Sequence, residues 1–86
     1  MSRREKLIQA ILSGRQDRNF QFFDLCLVLG WLGFERRVRG DHFIFTKPGV
    51  EEIINLQPLG GRAKPYQVKQ VRELILRYRF GGQENE

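Results

Sequence analysis

The pattern of apolar residues along this chain predicts an α+β fold: a three-stranded antiparallel sheet with helices packed on one face. Three observations carry that reading. Two segments near the N-terminus and one near the C-terminus repeat apolar residues at three- and four-residue spacing, the period of a helix face. Between them lie short runs with strand-favouring Phe, Ile and Val. Gly40-Asp41 and Lys47-Pro48-Gly49 separate those runs, and connections this short join antiparallel neighbours.

The elements follow in order. Ser2 and Glu5 have the spacing of a capping box, and Leu7, Ile8, Ile11 and Leu12 form an apolar face, so residues 2–13 read as a helix stopped by Gly14. Arg15–Asn19 is a polar connector. Residues 20–32 read as a second helix, apolar on two sides: Phe22, Leu25, Val28, Leu29 and Leu32 on one, Phe23, Leu27 and Trp31 on the other. Both sides need cover, one from the sheet and one from the first helix or a partner chain. Phe34–Arg39, His42–Thr46 and Glu51–Gln57 read as strands, and Pro58–Lys64 as a flexible loop. Pro65 opens a last helix carrying Val68, Val71, Leu74, Ile75 and Tyr78, which Gly81-Gly82 ends before a tail. The expected organisation is a single domain, 1–86, with an N-terminal helix (2–14), a core (20–80) and a tail (81–86). Without the first helix, the order α-β-β-β-α is that of double-stranded-RNA-binding domains.

Composition narrows the function. Fifteen Lys and Arg against ten Asp and Glu give a formal charge of +5 and a pI near 10.0, a bias toward a polyanionic partner: nucleic acid, an anionic membrane surface or an acidic protein. The one cysteine, Cys26, sits in an apolar run and reads as a buried thiol, and one Cys with one His cannot build a zinc site. No metal or cofactor is expected. Met1–Lys6 lead straight into an amphipathic helix rather than a secretory leader, and Phe20–Phe34 is too short and interrupted to span a bilayer, so cytoplasm is the expected location. No helix-turn-helix pair suited to DNA is visible.

The candidate for chemistry is the single histidine, His42, just after a Gly-containing turn. Its ordinary pKa, about 6.5, suits proton transfer near neutral pH. A strand-end surface residue is the plainer reading, but Arg36, Arg37 and Arg39 precede the turn and Lys47 follows the strand. Strand alternation puts Arg37 and Arg39 on one face with Glu35. RNA cleavage without a metal needs a base for the 2′-hydroxyl proton and cations for the phosphate, and this hairpin is expected to bring both together. Arg62, Lys64, Lys69 and Arg72 are further candidates for phosphate contact or for a solvated surface. Tyr66 can stack on a base or pack at the helix start, Asp41 can orient His42 or serve the turn, and Asp24 reads as helix surface. Gly60-Gly61 lacks the phosphate-binding loop pattern.

Leu32-Gly33-Phe34, then Arg39-Gly40-Asp41-His42 and Phe45, then Asn55–Pro58 and Ala63–Arg72, together resemble the HicA toxins of HicA–HicB toxin–antitoxin pairs. The resemblance covers about residues 20–80. It implies a double-stranded-RNA-binding-like fold, an mRNA-cleaving endoribonuclease activity resting on His42, and a cognate HicB-like antitoxin that covers the active face. It departs from the family at Asp41, where the usual motif has Ser; an anion there opposes phosphate. Arg37, Arg39, Lys47, Arg62 and Lys64 are the expected RNA-binding residues. Two other classes stay open from the residues: a non-catalytic RNA-binding module using the same basic surface, and a protein-interaction domain using Phe23, Leu27 and Trp31.

Overall fold

The computed structural model describes residues 2–78. Three helices, α1 (Arg3–Ser13), α2 (Phe22–Trp31) and α3 (Pro65–Tyr78), accompany an antiparallel sheet of β1 (Glu35–Arg39), β2 (His42–Thr46) and β3 (Ile54–Leu56) in the order β1-β2-β3. The predicted α+β class and meander therefore hold. The ending of the last helix at Gly81-Gly82 and the tail lie outside the described residues.

The local signals work as their chemistry requires. Ser2 Oγ accepts from the Glu5 amide and the Ser2 amide donates to Glu5, both at 3.1 Å, which closes the capping box of α1. Just past the end of α2 the chain turns left-handed at Gly33 (φ 95°). The Gly33 amide returns to Gly30 and the Phe34 amide to Leu29, the paired bonds that satisfy terminal helix carbonyls. Gly40 (φ 62°) supplies the positive φ that the two-residue β1–β2 turn demands.

Strand alternation decides what is buried. Arg36 and Val38 pair with Phe45 and Phe43 on the helix side, while Glu35, Arg37 and Arg39 pair with Thr46, Ile44 and His42 on the open side. Phe45, Ile54 and Leu56 close the core against Phe22, Leu25, Val28 and Leu29 of α2 and Val68, Val71, Leu74 and Ile75 of α3. Ile8 and Ile11 attach α1 to the same cluster, whereas Leu12 is exposed.

Four expectations need correction. The third strand is shorter than Glu51–Gln57, because Ile53 is exposed and only Ile54 and Leu56 reach the core. The Pro58–Lys64 loop is not free: Leu59 and Arg62 bond to each other, Ala63 donates to the Phe20 carbonyl, and Phe22 donates to Gly61, satisfying one open amide of α2. The Arg15–Asn19 connector contains a 3₁₀ turn, Asp17–Asn19. Finally, α1 does not cover the second stripe of α2: Phe23 is 65% exposed and Leu27 40%, while Trp31 is half-buried beneath the Arg4 guanidinium.

Candidate active site

His42 opens β2, immediately after the Gly40-Asp41 turn, with its side chain 49% exposed on the open face of the sheet. Arg39 lies directly opposite it on β1, and Arg37 one pleat further along the same face. From β3, Asn55 pairs with Ile44 and so lies diagonal to His42, within reach of its ring. Asn55 Oδ1 is 3.2 Å from His42 Nδ1. The contact fits the tautomer in which Nδ1–H donates to the amide oxygen, leaving Nε2 as the proton acceptor toward solvent.

Asp41 stands on the other side of the ring, its Oδ1 3.7 Å from Nε2. That is too long for a strong hydrogen bond, so the carboxylate stands beside the ring without bonding it. The Asp41 carboxyl is held below its ordinary range, chiefly because Gln57 Nε2 donates to Oδ2 at 2.7 Å, with smaller help from the charges of His42 and Lys64. Lys64 thereby belongs to the charged surroundings of this turn.

Gln57 is itself braced. Gln67, wholly buried, donates to the Gln57 carbonyl at 3.4 Å and accepts from the Lys64 amide at 3.0 Å. The second contact is half a capping box, a third-position Gln reaching back to the residue before α3. One buried amide thus ties the exit of β3 to the start of α3, and both to the turn carrying Asp41 and His42.

The remaining candidates disperse. Lys47 lies five residues beyond His42, roughly 16 Å along an extended strand. Its ammonium lies over Gly33, so close that a Cβ on that glycine would come within 2.6 Å of Nζ. The expectation that the hairpin gathers Lys47 with His42 fails because β2 runs straight between them; the charge instead faces the C-terminal turn of α2, where a cation is favourable. Arg62 directs its guanidinium to Asn19 Oδ1 (3.0 Å) and the Arg18 carbonyl. Arg72 is spent on the fold: it bonds both carboxylate oxygens of Asp17 at 3.1 Å and the Ile11 carbonyl at 3.0 Å. Arg36 points to the helix side, over the Phe43 ring. Asp24 pairs with Arg3, and Tyr66 is exposed. Cys26 is buried, and desolvation pushes its thiol up to about 11, so it is protonated at neutral pH.

Sequence reasoning put Arg37 and Arg39 on one face and near His42 but missed Asn55, Gln57 and Gln67. Among the described residues, no cluster of His, Cys, Asp and Glu has the makings of a metal site, and no helix is long and apolar enough to cross a membrane. No protein-family model, curated protein or solved structure matches this chain.

Proposed function

We propose that this protein is a metal-independent endoribonuclease of the HicA toxin type, cleaving mRNA and so blocking translation in the cytoplasm under the control of a HicB-like antitoxin. The observation that carries the reading is the water-accessible His42 imidazole, anchored at Nδ1 by Asn55 on the sheet face that also presents Arg37 and Arg39. Nε2 takes the proton of a ribose 2′-hydroxyl as the oxygen attacks the adjacent phosphorus. The 5′-oxygen leaves, and the imidazolium returns a proton to it. Arg39 and Arg37 neutralise the charge that grows on the phosphoryl oxygens, and Asp41 stabilises the transient imidazolium.

The resemblance to HicA toxins supplies the class, and the arrangement of charge around one imidazole supplies the chemistry. The test is His42→Ala, compared with the wild type on mRNA in EDTA and for growth arrest on expression. The variant is expected to fold, with cleavage falling roughly 10²–10⁴-fold. Wild-type cleavage by His42→Ala removes the reading. RNA retention without cleavage by the wild type leaves the binding module, which uses the same cations without turnover.

A further inference from the structure

The exposed side of α2 and the free edge of β1 form one continuous surface that borders the His42 face along β1. Phe23, Leu27 and Trp31 of α2 face Phe34 and Arg36 across an open groove of about 650 Å³, with Cys26 and Phe45 among its lining residues. β1 pairs with β2 alone, so its outer backbone donors and acceptors face away from the sheet, and Val38 is exposed beside the groove. A strand added to such an edge lays alternate side chains over the groove and over the open face.

Two independent features indicate what fits there. The first is charge. Among the described residues, no carboxylate lies within ion-pairing distance of Arg4, Arg36, Arg37 or Arg39, whereas Asp24 beside the groove is already paired with Arg3 at 2.6 Å. The edge is therefore matched to an acidic segment. The second is Gly30, the next-to-last residue of α2, which lines the groove. A Cβ at this position would meet nothing within 4 Å, so no packing within the chain calls for glycine, and glycine inside a helix is unfavourable relative to alanine. Close approach of another backbone gives the missing reason.

We propose that this surface docks an extended segment of a protein partner, which joins β1 as a further strand. Its large apolar side chains enter the groove over Gly30, and the alternating acidic ones meet Arg37 and Arg39. The docking uses Arg37 and Arg39 but not His42, so a His42→Ala chain retains it whatever becomes of the ribonuclease reading.

The test is selection of random dodecapeptides displayed on phage against the full 86-residue chain, followed by NMR mapping with the synthetic consensus peptide. The expected consensus alternates large apolar residues with Asp or Glu and shifts the amides of Phe34–Arg39 and Gly30. Gly30→Ala is expected to raise the melting temperature by roughly 2–5 °C while weakening the peptide at least about tenfold, and Arg37→Glu to weaken it similarly. A variant that merely misfolded would not gain heat stability. Absence of an enriched consensus, a consensus without acids, peptide shifts centred on His42 and Asn55, or unchanged binding by Gly30→Ala would each overturn the proposal. So would self-association that protects the β1 amides, which assigns the edge to a second copy.

Discussion

At the scale of single residues, the proposed chemistry depends on how the His42 ring is held rather than on His42 alone. An exposed imidazole samples many orientations, and only those with Nε2 aimed at a bound ribose are productive. Asn55 restricts the ring through Nδ1. Asn55→Ala is therefore expected to lower kcat roughly 10- to 100-fold with KM little changed, since the arginines proposed to hold the phosphate remain. Steady-state cleavage of a short oligoribonucleotide separates the two constants; an effect confined to KM would make Asn55 a binding residue instead. Arg37, Arg39 and His42 were legible in the sequence because alternation along one hairpin needs no knowledge beyond the two-residue turn. Asn55 was not, because its place depends on the β2–β3 register. Residues Lys47–Ile53 set that register, and neither the strand limits nor the loop path can be read from their pattern. Gln67 was hidden for a related reason: without Ser or Thr before Pro65, its capping role had only half a signature.

At the scale of elements, polar contacts fasten the helices to their surroundings. Arg72 of α3 reaches the C-terminal turn of α1 and the Asp17 carboxylate together, with both side chains about one-fifth exposed (18% and 20%). Arg72→Ala removes the cation and strands a partly buried carboxylate, at an expected cost of about 2–3 kcal/mol, measurable by urea denaturation. The sequence offered Arg72 as a surface cation because its partner lies in a connector that carried no predicted structure. At the far end of α3, Glu52 accepts from Tyr78 and from Arg77, each at 2.8 Å. The tyrosine hydrogen bond is the main reason the Glu52 carboxyl lies below its ordinary value, and the same bond raises the Tyr78 phenol. Glu52 therefore contributes stability above the ordinary carboxylate pKa, about 4.3, and loses it as pH falls through the lowered folded value. Tyr78 contributes below its ordinary value, about 10, and loses that as pH rises through the raised one. Melting temperatures followed from neutral to about pH 3 are expected to fall less steeply in Glu52→Gln than in the wild type. Parallel acid limbs would show that Glu52 is not among the groups that drive acid unfolding.

At the scale of the whole molecule, the sheet separates two faces of different character. The helix side carries the core and the open groove beside α2, while the other carries the basic face with His42. The sequence disclosed this division through its alternation, and it also showed α2 to be apolar on two sides. The cover expected from α1 is absent because Ile8 and Ile11 take α1 to the core and its residues Arg3 and Arg4 only border the stripe. If Arg37, Arg39 and Lys64 are the cations that neutralise phosphates, binding to an uncleavable 2′-deoxy oligonucleotide is expected to weaken with salt at a log–log slope of about −2, near −0.7 per contact for single strands. A slope near zero would place binding on bases or apolar contacts instead. The central claim is internal attack by a ribose hydroxyl under His42, and the chemical ends of the product record it directly. Mass spectrometry of an RNA oligonucleotide digested in EDTA is expected to show 2′,3′-cyclic phosphate and 5′-hydroxyl ends, with no cut where a single 2′-deoxy residue replaces the attacking ribose. Products ending in 3′-hydroxyl and 5′-phosphate, or cutting that persists at the deoxy position, would contradict it.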